Sequence, residues 1–168
     1  FDLSFRHAPG EKDFRVELDL QWSSQRTKHF ISRVSYHCGG KEFLTFQFKD
    51  ATGEVQEDDF ELNLADKSLL LSIGSPKWFE ENAENLTILD DDFEFELDLI
   101  GSDPATNLPT ALHLSYTSQF QSPLGSLGSR VLSELTNSIN HILSDFAIDG
   151  ESLADLTYLA GIRTIPDA

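Results

Sequence analysis

From Asp13 to Trp22 apolar and polar residues alternate: Phe14, Val16, Leu18, Leu20 and Trp22 fall on one parity, Asp13, Arg15, Glu17, Asp19 and Gln21 on the other. Successive side chains of an extended chain point to opposite faces, so this is the pattern of a strand with one face on a core and the other in water. The segment Asp92 to Ile100 repeats it, setting Phe93, Phe95, Leu97 and Leu99 against Asp92, Glu94, Glu96 and Asp98. Runs of β-branched and aromatic residues predict further strands over Phe1–His7, His29–Cys38, Glu42–Lys49, Asp59–Leu64, Leu69–Ile73 and Thr110–Phe120, about eight in all.

Gly39 and Gly40 separate two of these runs. Only glycine adopts positive φ at both centres of a tight hairpin turn without cost, so this pairing is the firmest local expectation. Asp50-Ala51-Thr52-Gly53 and Gly101-Ser102-Asp103-Pro104 mark other turns.

Two regions change period. A short helix is expected near 76–85, with the Ser75 hydroxyl as cap, Pro76 in the first turn and Trp78, Phe79 and Leu86 facing inward. Val131, Leu132, Leu135, Ile139, Ile142, Leu143 and Phe146 recur at helical spacing and predict a helix from about Ser129 to Phe146. Asp149 can cap a second helix carrying Leu153, Leu156 and Leu159, ended by Gly161. The expected fold is α+β: mainly antiparallel β over residues 1–122, as a sandwich or partly closed barrel, with a C-terminal helical hairpin over 126–162 packed on the sheet in a single compact domain.

Composition narrows the function classes. The 168 residues are 39% hydrophobic and include 13 Phe, enough for one core held by apolar burial. Cys38 is the single cysteine, so no internal disulfide forms, and its parity places it inside as a small hydrophobe. A net charge of −17 repels phosphate backbones and anionic lipid, which argues against nucleic acid as partner. No apolar run reaches the length of a membrane span and no charged-then-apolar leader precedes Phe1, so a soluble chain is expected. The lack of Met even at position 1 suggests a processed or exported chain or an excised domain, and the compartment stays open.

Candidate chemistry is sparse. The tetrad Glu-Leu-Asp-Leu occurs at Glu17–Leu20 and Glu96–Leu99 and puts two carboxylates on one strand face. It resembles part of the Glu-x-Asp-x-x-Glu strand of jelly-roll β-glucanases, and that resemblance implies a glycosidase with paired acids. The third acid, the proton donor of that family, is replaced here by Gln21 or Trp22 in one strand and by Ile100 or Gly101 in the other. Asp90, Asp91 and Asp92 at a loop-to-strand boundary are a candidate calcium site, and no other cofactor is expected. Asp145 to Leu156 has the outline of a calcium loop but carries Ala147 and Leu156 where ligands belong, so Asp149 reads as a helix cap. His7, His29, His37, His113 and His141 are scattered and read as surface residues. Gly125-Ser126-Leu127-Gly128 is not a nucleophile elbow, and no phosphate-cradling glycine loop is present.

The leading expectation is a non-enzymatic binding domain whose acidic sheet face, built from Glu17, Asp19, Glu94, Glu96 and Asp98, contacts a basic protein or a cation. Like charges opposed across strands repel, so these strands are expected beside neighbours bearing Arg33, Lys49 or neutral polar residues. An alternative is a carrier of a small apolar ligand in a barrel lined by Phe43, Phe46, Phe48, Phe93, Phe95 and Phe120. Lipocalins share that architecture, but their early Gly-x-Trp signature is missing, since Leu20 and Gln21 precede Trp22. A further alternative is an enzyme with dispersed acidic residues.

Overall fold

A computed structural model describes residues 2–6, 13–23, 28–50, 57–90, 95–104, 106–116 and 125–145. Five antiparallel strands pair in sequence order: β1 (Asp2–Arg6), β2 (Phe14–Ser23), β3 (Lys28–Cys38), β4 (Lys41–Phe48) and β5 (Phe60–Asn63). Two helices follow, α1 (Lys67–Gly74) and α2 (Pro76–Glu81), then a 3-10 segment over Ala83–Asp90. A two-stranded ribbon, β6 (Phe95–Ser102) and β7 (Pro109–Tyr116), precedes the long helix α3 (Gly125–Asp145). The chain is therefore α+β with antiparallel sheets and a C-terminal helix. None of the described helices is long and apolar enough to cross a membrane.

The β3–β4 hairpin turns through Gly39 and Gly40 at φ 58° and 78°, the left-handed values that this dipeptide predicts. Around it the alternation sorts the sheet into two faces. Phe14, Val16, Leu18 and Leu20 of β2 are buried with Val34, Tyr36 and Cys38 of β3, and Phe46 and Phe60 join them from β4 and β5. The rings of Phe14, Tyr36, Phe43, Phe46, Phe48 and Phe60 form a connected cluster with centroids 5.9 to 6.5 Å apart. Offset and edge contacts at that spacing suit the charge distribution of aromatic rings.

Four register shifts interrupt the period of two. Between β2 and β3 the register passes from Asp19↔Arg33 to Leu20↔Ile31, leaving Ser32 as an extra residue whose hydroxyl donates to the Asp19 carbonyl at 3.1 Å. Between β3 and β4 it passes from Tyr36↔Leu44 to His37↔Glu42, so Phe43 is extra and both Phe43 and Leu44 are fully buried. In the ribbon it passes from Leu99↔Leu112 to Gly101↔Ala111, leaving Ile100 extra on β6, and then to Ser102↔Pro109, leaving Thr110 extra on β7. A bulge turns the side chains beyond it relative to the partner strand, which no local pattern reports.

Helix α1 opens at Asp66, whose carboxylate accepts from the Leu69 amide at 2.8 Å, and it inserts Leu70 and Leu71 into the core. Val131, Leu132, Leu135, Ile139, Ile142 and Leu143 form the buried stripe of α3. One apolar cluster runs without a break from the five-stranded sheet through α1 to the ribbon and α3. Two polar side chains of α3, one turn apart, also serve the ribbon. Asn140 accepts from the Leu112 amide at 3.0 Å and donates to the Leu112 carbonyl at 2.9 Å, while Thr136 Oγ1 accepts from the Leu114 amide at 3.1 Å. They take the place of a third strand along β7, the outer edge of which would otherwise bury unpaired backbone groups.

Several expectations are corrected. Leu69–Ile73 is helical, since a short apolar run has no period of its own and the Asp66 cap decides the matter. The Ser75 hydroxyl caps nothing; it donates to Glu134 Oε2 of α3 at 3.0 Å. Trp22 is 60% exposed, because the alternation of β2 stops at Gln21 and Ser23 takes the buried place instead. Helix α3 begins at Gly125, four residues earlier than its apolar stripe predicts. The second helix expected after Asp149 lies outside the described residues.

Candidate functional site

The acidic positions predicted as one face lie on two sheets. Glu17 and Asp19 are on β2, near the centre of the five-stranded sheet, whereas Glu96 and Asp98 are on β6 of the ribbon. Glu94 lies outside the described residues. The two groups differ in what surrounds them.

On β2 Glu17 is matched by bases. Arg15 Nη2 lies 3.0 Å from Glu17 Oε1, and His37 Nε2 lies 3.2 Å from Glu17 Oε2. Arg33, the register partner of Asp19, donates across the other side of β3 to Glu42 Oε2 of β4 at 2.7 Å. Ser35 stands opposite Glu17, and Thr45 Oγ1 donates to Ser35 Oγ at 3.2 Å beneath the charged side chains. The expectation that Arg33 and neutral polar residues flank the acids thus holds for Glu17 and Asp19 on the β3 side. On the other side Asp2 of β1 is the register partner of Asp19, and Lys49 lies past the end of β4, donating to the Asp58 carbonyl at 2.8 Å.

His37 departs from the surface reading of the histidines, being buried among Glu17, Glu42 and the sheet. Its Nε2 and the Arg33 Nε are sealed from solvent without an aligned hydrogen-bond partner among the described residues. His113 and His141 are exposed, the latter 2.9 Å from Asp145 within α3. The side chains of His7 and His29 are outside the described set.

On the ribbon the acids stand open. Glu96 and Asp98 are exposed on one face of β6 and enter no ion pair among the described residues. Their register partners on β7 are Ser115 and His113. Ile100, two positions further along β6 and on the same parity as the two acids, is 67% exposed. The opposite face of β6 places Phe95, Leu97 and Leu99 against the core. The result is a narrow surface of two unpaired carboxylates ending in an exposed branched aliphatic side chain.

The Phe set divides too. Phe43 and Phe46 are fully buried and Phe48 half-buried in the ring cluster, Phe95 belongs to the ribbon, and Phe93 and Phe120 lie outside the described residues. Of the calcium triplet, Asp91 and Asp92 lie outside the described residues, and Asp90 is the last residue of the 3-10 segment. No group of three or more His, Cys, Asp or Glu side chains among the described residues is placed to hold a metal ion.

Sequence reasoning missed the roles of Arg15, His37 and Glu42, and did not carry the alternation of β6 on to Ile100, which shares the parity of Glu96 and Asp98. Parity puts Arg15 beside Glu17, a signal present in the chain, but the other pairings depend on register. The chain matches no protein-family model, no characterised protein and no solved structure.

Proposed function

We propose that the chain is a non-enzymatic interaction domain that contacts a basic protein partner, and that the outer face of the β6–β7 ribbon is the contact surface. The observation that supports this reading is the contrast between the two groups of acids. Glu17 is ion-paired to Arg15 and His37 and Asp19 stands opposite Arg33, while Glu96 and Asp98 are exposed and, among the described residues, unpaired beside Ile100. Carboxylates already matched within a sheet offer little to a partner. Unpaired ones in a field of net charge −17 steer a cationic surface toward themselves. Ile100 supplies apolar area to bury on contact, which sets a docking surface apart from a merely solubilising one.

The test is binding of a fluorescent lysine-rich peptide to the full chain, followed by anisotropy at low and moderate salt. Glu96→Lys with Asp98→Lys is expected to weaken binding at least tenfold while leaving the melting temperature unchanged, and Ile100→Asn to weaken it further at moderate salt, where screening removes much of the charge term. Equal binding by the wild type and the double variant would overturn the assignment to the ribbon. No binding of the peptide even at low salt would overturn the basic-partner reading itself.

A further inference from the structure

A groove of about 480 Å³ opens between α2 and α3, lined by Trp78, Glu81 and Asn82 from one helix and its end, and by Arg130 and Glu134 from the other. Trp78 is half-buried against the core, so its indole is held in place while part of it faces the groove. Glu134 could pair with Arg130 one turn away, yet its carboxylate accepts the Ser75 hydroxyl at 3.0 Å, and Ser75 in turn accepts from Ser138 Oγ at 3.1 Å. Arg130 consequently has no hydrogen bond or ion pair among the described residues. Glu81 has only a loose contact with Lys77, at 4.0 Å on the open side of α2.

The groove therefore carries two carboxylates, a fixed indole, an amide and one uncommitted guanidinium. We infer that it binds an extended peptide segment of a basic partner through one lysine or arginine side chain. The aliphatic stem packs on Trp78, the cationic head meets Glu81 and Glu134 near the ring face, and Arg130 and Asn82 donate to main-chain carbonyls of the segment. This deepens the reading of the chain as a binder of basic partners, on which it rests, and adds a specificity. Arg130 repels a second positive side chain beside the first, so an isolated basic residue between neutral ones is preferred over a polybasic run.

The experiment uses the full chain labelled with nitrogen-15 and two capped probes, Gly-Gly-Lys-Gly-Gly and Lys-Lys-Lys-Lys-Lys, followed by amide and indole chemical shifts. The isolated-lysine probe is expected to shift the Trp78 indole and the Asn82 and Arg130 signals saturably. Trp78→Leu is expected to weaken it about fivefold. Glu81→Gln, an exposed substitution that leaves the fold untouched, acts in the same direction. Arg130→Gln is expected to improve the polybasic probe relative to the isolated one, a change that general loss of structure would not produce. Shifts confined to the β6–β7 ribbon would overturn the groove while leaving the basic-partner reading standing. An absence of shifts with either probe would overturn both.

Discussion

Gly74 and Ser138 touch where α1 crosses α3: a Cβ built on Gly74 would lie 2.4 Å from Ser138 Cβ and 2.5 Å from Ser138 Cα. Each is the small residue that lets the other approach, and Ser138 is wholly buried there with its hydroxyl on Ser75. Gly74→Ala gains about 0.5–1 kcal/mol of helix propensity. Overlap with a backbone atom outweighs it, and the variant is expected to lose about 1–3 kcal/mol in urea unfolding. Because the Cα of Ser138 is also within 2.5 Å, pairing Gly74→Ala with Ser138→Gly is not expected to rescue it. Full rescue would show that only the Ser138 side chain is in the way.

Asn140 and Thr136 close the outer edge of β7 at Leu112 and Leu114. Asn140→Leu leaves a backbone donor and acceptor without partners in a sheltered place and is expected to cost about 1–3 kcal/mol. Asn140→Asp keeps an acceptor for the Leu112 amide but loses the donor to its carbonyl, and is expected to cost no less. Native-state hydrogen exchange is the sharper readout: the Leu112 amide is expected to lose protection in Asn140→Leu, and the Leu114 amide in Thr136→Val. Unchanged protection in both would mean the helix is not the edge partner.

Asp66 starts a helix where the apolar run alone reads as a strand. Asp66→Ala removes the acceptor of the Leu69 amide and is expected to cost about 1 kcal/mol, with Asp66→Asn retaining most of the cap. The denaturant midpoint checks this, and an Asn variant as damaged as the Ala variant would point to a role for the charge instead.

Burial pushes the Tyr36 phenol well above its ordinary value near 10. The folded chain keeps this proton where the unfolded chain releases it, so the stability is intact below pH 10 and falls as pH rises beyond it. The loss approaches about 1.4 kcal/mol per pH unit for one such group. Urea unfolding between pH 9 and 11.5 is expected to show this slope, and Tyr36→Phe to flatten it relative to the wild type. A slope unchanged by the substitution would assign the loss to other groups.

The chain by itself determined the elements whose periods are local. Alternation in β2 and β6, the Gly39-Gly40 turn and the helical stripe of α3 each lie in a short window, so side-chain direction follows from position alone. The same alternation picked out Glu96 and Asp98 as outward-facing. Local pattern failed at Leu69–Ile73, where an apolar run without period gave no preference and the informative residue was Asp66, three positions upstream of Leu69. Tertiary structure alone decided which acids are matched and which stand open. Strand order put Arg33 opposite Asp19 and brought His37 to Glu17, and it set Ser115 and His113 opposite Glu96 and Asp98. The α2–α3 groove likewise joins residues some fifty positions apart. Such pairings are set by packing between distant segments, to which a period of two or 3.6 residues carries no reference.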